Sequence, residues 1–170
     1  LFSAGIERFE FADVTVLDRT QFLKDALIDE GAAGRGGDNI IHGSDAGTTL
    51  DGGAGKDELH GGIGDDVYLF AKGYDEDTII DGGGNDVLRF GEGVDPNQTM
   101  FHRSGPNGEN LLIEVDGLER LAITIKGQFD EASRIERFEF ANGTVLSWQD
   151  VQSRAVAAMA TDGADTIHGF

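Results

Sequence analysis

Aspartate recurs in the middle of the sequence at a spacing that suits cation binding. Residues 52–60 read GGAGKDELH and residues 61–69 read GGIGDDVYL, so Asp57 and Asp66 hold the same, sixth position of two consecutive units. Both units fit the pattern G-G-x-G-x-D-x-U-x, in which U is a large apolar residue. Carboxylate oxygens are ligands that hard divalent cations prefer. The two units therefore indicate a repeated cation site.

The nine-residue register continues on both sides of these units. Residues 34–42 and 43–51 keep it in degenerate form, and residues 72–80 and 81–89 resume it after two extra residues, 70–71. The sixth position is held by Asn39, Thr48, Asp57, Asp66, Asp77 and Asp86. The eighth position is held by Ile41, Leu50, Leu59, Tyr68, Ile79 and Leu88. The register therefore predicts a regular, repeated structure.

A stretch rich in Gly and Asp could instead be a flexible acidic linker. Residues 34–89 contain 15 Gly and 10 Asp. These residues stay in phase with the apolar residue of each unit, which a linker has no physical reason to do. The phase favours folded coils over a solvated loop.

Each unit predicts a Gly-rich turn followed by a three-residue strand whose middle side chain points inward. Two units then make one coil, so residues 18 apart stack at the strand spacing of about 4.8 Å. The two extra residues lengthen the later steps to 20. Two columns of sixth-position residues follow, one of Asn39, Asp57 and Asp77 and the other of Thr48, Asp66 and Asp86.

Stacked carboxylates need a counterion. At about 4.8 Å two of them repel by roughly 1 kcal/mol in bulk water and by several times more at an effective dielectric near 20. Ca²⁺ accepts six to eight oxygen ligands in flexible geometry, whereas Mg²⁺ demands a tighter octahedron and Zn²⁺ prefers His or Cys. We therefore expect about two to four Ca²⁺ ions. The expected ligands, through side chains or loop carbonyls, are Asn39, Gly53, Gly55, Asp57, Gly62, Gly64, Asp66, Asp75, Asp77, Gly84 and Asp86.

Four places between neighbouring loops could hold these ions. The two strongest lie between the loops that end at Asp57 and Asp77, and between those that end at Asp66 and Asp86. A third lies between the Asn39 and Asp57 loops, and a fourth between the Thr48 and Asp66 loops. Additional carboxylates for the third and the fourth would come from Asp38 and Asp45, respectively.

The composition excludes several kinds of partner. The formal charge is −19, which disfavours nucleic acid and anionic membranes because both bind clustered cations. Four bound Ca²⁺ ions, each adding two charges, would bring it to −11. There is no Cys, so disulfides and zinc-thiolate sites are excluded.

No apolar run reaches the roughly 18 residues of a spanning helix. Without an initiator Met or a signal peptide, we expect a segment of a longer protein.

The two ends of the chain contain a longer repeat. Residues 6–17 read IERFEFADVTVL and residues 135–146 read IERFEFANGTVL, an offset of 129, and a helix-like run follows each copy. We therefore expect four segments. They are 1–33, the remnant of a preceding cap plus a helix that acts as an N-terminal lid; 34–90, the coils; 91–160, a C-terminal cap; and 161–170, the start of the next repeat block.

The sequence after the coils predicts strands followed by a helix. Strands are indicated at 111–115, 118–125 and 134–140, with a hairpin turn at Asn142-Gly143. Its aromatic residues could be a sugar platform. We favour a hydrophobic plug over the open end of the coils, where backbone groups would otherwise be unpaired. The plug residues are Phe90, Phe101, Phe129, Phe138 and Trp148.

Catalytic signals are weak. His42 and His60 are 18 apart and should stack on the outer face, where a solvated pair is favoured over a transition-metal site because no third ligand aligns with them. No Ser has a G-x-S-x-G context. The carboxylates are assigned by their phase to cation binding. We therefore expect no enzymatic activity from this chain.

Residues 52–70, GGAGKDELHGGIGDDVYLF, resemble the repeats-in-toxin (RTX) family of hemolysin-type calcium-binding repeat proteins. The later segments LLIEV, LAITIKGQF and RIERFEFANGTVLSWQDV are similar to the C-terminal flanking domain that follows such repeats in large secreted bacterial proteins. The resemblance implies an all-β dominated fold, a right-handed parallel β-roll or nonapeptide solenoid, with a β-rich cap and short α-helices. It also implies calcium ligation by the aspartates and loop carbonyls, and export by type I secretion as an unfolded chain. Asn39, Thr48 and the DEDT sequence at 75–78 depart from the family pattern.

These observations predict a calcium-binding module that folds on calcium uptake. We expect it to be a structural or adhesive repeat of a secreted protein, outside the bacterial cell or on its surface, in contact with neighbouring modules of the same chain. An alternative is a calcium-dependent carbohydrate-binding module whose partner is extracellular polysaccharide. A further hypothesis is that the parent protein is an enzyme whose catalytic domain lies outside this chain. We expect no nucleic-acid partner and no membrane insertion.

Overall fold

Strands dominate the computed structural model, which describes residues 8–10, 16–18, 32–34, 36–115 and 122–159. The strands before the cap are β1 (Arg8–Glu10), β2 (Val16–Asp18), β3 (Ala32–Ala33), β4 (Ile40–His42), β5 (Thr49–Asp51), β6 (Glu58–His60), β7 (Val67–Phe70), β8 (Glu76–Ile80) and β9 (Asp86–Phe90). The later strands are β10 (Thr99–Ser104), β11 (Asn110–Val115), β12 (Ala122–Lys126), β13 (Ile135–Phe140) and β14 (Val145–Ser147). A short 3₁₀ helix spans Glu131–Ser133, and helix α1 spans Trp148–Met159.

The coils form a parallel β-roll. Strands β4, β6 and β8 pair in parallel in one sheet, and strands β3, β5, β7 and β9 do so in the other, so the chain changes sheet at every strand. Ile40 pairs with Glu58 and Thr49 with Val67, a step of 18 residues. Val67 pairs with Val87, a step of 20. The predicted coil length and its two-residue extension are therefore confirmed.

The interior of the roll is formed by the residues at the eighth position. Each lies near the middle of its strand, points inward as the period-two alternation of a strand requires, and is at most 8% exposed. The residues are Ile41, Leu50, Leu59, Tyr68, Ile79 and Leu88. Five of them are aliphatic, and the sixth is a tyrosine whose hydroxyl needs a partner inside the roll.

The cap extends both sheets of the roll instead of covering bare strand edges. Strand β12 pairs in parallel with β8, and strand β13 pairs in parallel with β9. Antiparallel pairs then complete the sheets, β10 with β11, β11 with β12, and β13 with β14. The expectation that a plug covers unpaired backbone was therefore wrong in this respect, because the last roll strands already have hydrogen-bonded neighbours.

The aromatic residues of the cap do pack against the end of the roll. Phe90, Phe101, Phe138 and Trp148 are buried, and Phe129 is partly buried against the same core. The core of the roll and the core of the cap are one continuous cluster. The hydrophobic part of the plug prediction is therefore confirmed.

Helix α1 begins with reciprocal capping bonds. The Ser147 backbone N–H and hydroxyl both donate to Asp150 Oδ2, at 2.9 and 2.6 Å, and the Asp150 N–H donates to Ser147 Oγ at 3.3 Å. The helix packs on β10, a strand that sequence patterning missed because TMFHRS alternates poorly. None of the helices in the described ranges combines the length and the apolar character that a membrane span requires.

The two copies of the long repeat form the same hairpin. Arg8 pairs with Asp18 in the first copy, and Arg137 pairs with Ser147 in the second, which differ by 129 residues at both ends. Strands β1 and β2 form a sheet of their own. The lid role of the N-terminal segment, the helix expected after β2 and the repeat start at 161–170 fall outside the described residues.

Candidate calcium centre

The first column consists of the sixth-position residues at the start of β4, β6 and β8: Asn39 and Asp57 directly precede their strands, and Asp77 is the second residue of β8. The backbone N–H of Asn39 donates to Asp57 Oδ1 at 2.8 Å. The backbone N–H of Asp57 donates in turn to Asp77 Oδ1 at 2.9 Å. Each carboxylate is thus held by the preceding coil, and the predicted order Asn39, Asp57, Asp77 is confirmed.

The second column runs along the other sheet and continues into the cap. The backbone N–H of Thr48 donates to Asp66 Oδ1 at 2.6 Å, and that of Asp66 donates to Asp86 Oδ1 at 2.7 Å. The backbone N–H of Asp86 donates to Glu136 Oε2 at 2.8 Å. Glu136 lies at an irregularity in the pairing of β13 with β9, so this cap residue occupies the place of a further column carboxylate. Sequence analysis missed Glu136, because 50 residues separate it from Asp86.

The second oxygen of each column aspartate is buried and has no hydrogen-bond partner. We call Asp57, Asp66, Asp77 and Asp86 the column aspartates. Their Oδ2 atoms lack a donor, and their exposed fractions do not exceed 3%. An unsatisfied buried acceptor is costly, and such groups are rare in native proteins. A cation bound there would satisfy these oxygens, so the residues fit Ca²⁺.

Burial also changes the protonation of these carboxyl groups. It raises the pKa of Asp77 and of Asp86 to about 7, with nearby carboxylates adding to the effect. It raises the pKa of Asp66 to about 6 and that of Asp57 in the same direction. The backbone donors described above oppose the shift only in part. Without a neutralising cation the site therefore resists full ionisation near neutral pH.

Glycines let the loops of adjacent coils stack on one another. Gly55 has a φ of +134°, and a Cβ there would lie 2.5 Å from the Gly37 carbonyl oxygen. A Cβ on Gly84 would lie 2.3 Å from the Gly64 carbonyl oxygen. Gly53 and Gly62 also have positive φ. The structure thus stacks the loops that carry the predicted carbonyl ligands, and calcium ligation by these carbonyls stays a prediction.

Asn39 and Asp75 differ in how well they match the aspartate pattern. Asn39 Oδ1 lies 2.6 Å from the point where a Cβ on Gly34 would lie, as Asp57 Oδ2 lies 2.5 Å from the equivalent point on Gly52. The Asn39 amide oxygen thus takes the place of the unpartnered carboxylate oxygen. Asp75 is half-buried, and its carbonyl accepts a hydrogen bond from Ala122 at 3.3 Å. The structure does not include Asp75 in either column.

The additional carboxylates named for the third and fourth sites lie near a column aspartate without forming a close cluster with it. The charge of Asp38 helps to raise the pKa of Asp57, and that of Asp45 helps to raise the pKa of Asp66. Asp38 Oδ1 accepts the backbone N–H of Lys56 at 3.0 Å on the exposed side of the roll. Asp45 Oδ1 lies 3.5 Å from the point where a Cβ on Gly62 would lie. Thr48 Oγ1 accepts the backbone N–H of Ser44 at 2.8 Å, within its own loop. The two upstream sites are therefore weaker candidates than the two built on the column aspartates alone.

A third carboxylate joins the second column at a place where sequence analysis expected only a turn. Ligand oxygens of Asp66, Asp81 and Asp86 lie within 4.8 Å of one another, and all three residues are buried. No other set of three His, Cys, Asp or Glu residues meets this distance among the described residues. The sequence did carry a signal, since Asp81 stands at the first position of its unit, where the first four units have Gly.

His42 and His60 stack on the outer face, as predicted. Their ring centroids are 4.5 Å apart, and His60 Nε2 lies 2.6 Å from Glu58 Oε1. The pair gains no third ligand within the described part of the chain. This arrangement supports a structural histidine pair over a transition-metal site.

Comparison with known families agrees with the geometry. Residues 33–68, 42–76 and 73–95 match the RTX calcium-binding nonapeptide repeat, and residues 122–150 match the haemolysin-type calcium binding protein related domain. No curated protein matches the chain significantly. The first match covers the roll and its column aspartates, and the second covers β12, β13, β14 and the start of α1. The roll thus carries the RTX calcium-binding nonapeptide repeats, and residues 122–150 of the cap match the haemolysin-type calcium binding protein related domain.

Proposed function

We propose that the roll binds Ca²⁺ between neighbouring loops and folds as the ions bind, so that the chain is a calcium-responsive structural module. The observation that carries the proposal is the set of four buried, unpartnered Oδ2 atoms on the column aspartates. Bound Ca²⁺ would supply positive charge and flexible oxygen coordination. Asp57 and Asp77 would hold one ion, and Asp66 and Asp86 another.

The same residues explain why the module would be unfolded without calcium. Four buried carboxyl groups with raised pKa values oppose folding near neutral pH, because the unfolded chain leaves them hydrated and ionised. The formal charge of −19 adds general repulsion, and the glycine-rich turns lose much conformational entropy on folding. Calcium binding would offset these costs, so metal uptake and folding would be coupled.

This coupling fits export followed by folding outside the cell. Extracellular calcium modules bind in the range of about 0.1 to 1 mM, far above cytosolic calcium. An acidic chain that stays unfolded at low calcium suits type I secretion, and it would fold at the bacterial surface or in the medium. The identical pairing of the two hairpins, 129 residues apart, supports tandem modules in contact along the parent chain.

In this proposal the module itself is structural and has no catalytic role. Its segments would be the preceding cap remnant at 1–33, the roll at 34–90, the cap at 91–160 and the next repeat block from 161. The carbohydrate-binding alternative has less support, because the exposed large hydrophobic residues of the described segments include no aromatic ring that a sugar could stack on. Those residues are Ile40, Ile63, Met100, Val145 and Val156.

The test compares calcium binding and folding in matched variants. Asp77→Asn keeps an oxygen for the Asp57 N–H but removes the charge from the column, so we expect calcium affinity at its site to fall at least about tenfold. Asp51→Asn removes the same charge from a half-buried residue outside the column, which accepts the Tyr74 hydroxyl at 2.6 Å. Asp51 acts on Asp57 and Asp77 only as a nearby charge, so this variant should lower affinity much less than Asp77→Asn. Isothermal titration measures affinity, and circular dichroism in calcium and in EGTA measures folding.

Two results would contradict the proposal. If the wild-type chain kept its full β signal in EGTA, folding would not depend on calcium. If Asp77→Asn and Asp51→Asn weakened calcium binding equally, the ions would not be held by the columns.

A further inference from the structure

We propose that Asp81 is a calcium ligand outside the nonapeptide pattern, and that it makes the Asp66–Asp86 site the tightest calcium site of the roll. This inference rests on the proposed function and adds a ligand and a binding order to it. With this binding order, the Asp66–Asp86 site, next to the cap, would be the first to be occupied as the calcium concentration rises.

The geometry places three oxygens around one small space. An added Cβ on Gly61 would lie 2.1 Å from the Tyr68 hydroxyl, 2.5 Å from Asp66 Oδ2 and 2.6 Å from Asp81 Oδ1. The Oδ2 atoms of Asp66 and Asp86 are unpartnered, and both residues are 0% exposed. Asp81 thus brings a third carboxylate to a place where two buried oxygens already lack partners.

The position of Asp81 in its unit shows how it comes to lie there. The first four units begin with Gly, and the last begins with Asp81. Gly61 lies one coil away from Asp81, where its backbone N–H donates to the Ile80 carbonyl at 3.2 Å. Because Gly61 has no side chain, the carboxylate of Asp81 can enter the space beside Asp66.

A purely structural role would make Asp81 the acceptor for Tyr68. The Tyr68 hydroxyl donates to Asp81 Oδ1 at 2.6 Å, and the Gly83 N–H donates to Asp81 Oδ2 at 2.7 Å. An asparagine side chain has only one acceptor oxygen, but it would serve the buried hydroxyl without adding charge. A carboxylate there adds repulsion with Asp66 and Asp86, which a cation would reverse. Each Asp81 oxygen has one donor, so each can accept a further partner.

The close grouping of carboxylates distinguishes the second-column site, Asp66–Asp86, from the first-column site, Asp57–Asp77. At the second-column site three carboxylate oxygens lie within 4.8 Å of one another. At the first-column site Asp51 and Asp75 act on Asp77 as nearby charges, but among the described residues neither forms such a cluster with Asp57 and Asp77. The number of charged ligands is a main determinant of calcium affinity. Tyr68 would act as a positioning residue, because its hydroxyl fixes one oxygen of Asp81.

The experiment uses the full chain and a matched pair of aspartate variants. Asp81→Asn and Asp51→Asn each remove one charge from an aspartate that accepts a tyrosine hydroxyl at 2.6 Å. Only Asp81 lies in the three-carboxylate cluster. We expect Asp81→Asn to weaken the tightest calcium step in isothermal titration by about tenfold or more, while the same step of Asp51→Asn stays within about twofold.

Terbium provides a second readout at the same site. Tb³⁺ replaces Ca²⁺ at oxygen sites, and a nearby tyrosine sensitises its luminescence. Tyr68→Phe keeps the Asp81 charge but no longer fixes its Oδ1 atom, so the tight step should weaken less than in Asp81→Asn, while the sensitised luminescence of that step falls. Tyr74 remains in this variant and serves as an internal reference near Asp51.

The outcomes separate this inference from the proposed function. If the wild-type chain binds calcium but Asp81→Asn retains its tightest step, Asp81 is only the acceptor for Tyr68 and the inference fails. If the wild-type chain binds no calcium, the proposed function fails. Should Asp81→Asn not fold in calcium, the double variant Tyr68→Leu, Asp81→Gly restores the pattern of the other units; a wild-type tightest step in this variant would equally overturn the inference.

Discussion

At the scale of single residues, each column aspartate divides its two oxygens between two kinds of partner. Oδ1 accepts a backbone N–H from the preceding coil, which fixes the orientation of the carboxylate. Oδ2 is left buried and unpartnered. Other acidic residues of the roll, such as Asp38 and Asp65, accept backbone N–H groups on the exposed side instead. Position within the nine-residue unit, not acidity itself, therefore decides which carboxylates could hold a cation.

Protonation of these carboxyl groups should partly replace calcium. The pKa values of Asp77 and Asp86 are raised from 3.8 to about 7 in the folded roll, so the folded state binds more protons than the unfolded chain between these limits. Stability of the calcium-free roll is therefore present at low pH and is lost as the pH rises through about 7. We expect calcium-stripped protein to show more β signal in circular dichroism at pH 5 than at pH 8.

The double variant Asp77→Asn, Asp86→Asn is the control for this pH effect. In this variant the β signal of the calcium-stripped protein should differ much less between pH 5 and pH 8 than in the wild type. A wild-type β signal that increased with pH in calcium-stripped buffer would show that the raised pKa values do not govern folding.

At the scale of elements, the roll depends on loops that approach each other at backbone distance. Gly55 combines a positive φ with a contact that leaves no room for a Cβ against Gly37. Roll strands of two to five residues cannot compensate for a displaced loop, because each has only a few ladder hydrogen bonds. The glycines are therefore as necessary to the site as the aspartates that they position.

The variant Gly55→Ala should destabilise the calcium-loaded roll by about 2 to 3 kcal/mol, because it adds both backbone strain and a steric clash. Gly36→Ala is the matched control, since its added Cβ would lie 4.0 Å from the nearest atom, the Ala54 carbonyl oxygen. Gly36→Ala should change the free energy of unfolding by no more than about 0.5 kcal/mol. Urea unfolding in millimolar calcium measures both, and equal stabilities would refute the loop-stacking argument.

At the scale of the whole molecule, roll and cap form one continuous structure. The cap adds strands to both sheets, shares the hydrophobic core and extends the second column through Glu136. A cap joined in these three ways should unfold together with the roll. Calcium binding in the roll would therefore also determine whether the cap is ordered.

Removal of the Glu136 carboxylate should weaken this coupling. Glu136→Ala leaves the Asp86 N–H without its acceptor, which should cost about 1 to 3 kcal/mol, whereas Glu136→Gln keeps an oxygen and should restore most of the loss. Glu131→Ala, at an exposed residue of the nearby 3₁₀ helix, is the control. Thermal unfolding in millimolar calcium checks the order of stabilities, and a Glu136→Ala variant as stable as the control would exclude the coupling.

The sequence by itself determined the coil length, the inward residues and the sixth-position residues of both columns. These features depend on local properties, namely the turn conformations of glycine and the alternation of short strands, which repeat every nine residues. Tyr68 and Leu88, for example, are buried at the positions that the register predicts. The hairpin at Asn142-Gly143 was predictable from the sequence because a tight turn depends mainly on the residues within it.

Only the tertiary structure decided which distant residues complete the site. Asp81 reaches Asp66 because Gly61, 20 residues earlier, leaves space, and Glu136 reaches Asp86 across 50 residues through the pairing of β13 with β9. The extension of both sheets into the cap depends on the same long-range pairing. No local pattern encodes such contacts, because they arise from the way in which separate coils and strands stack.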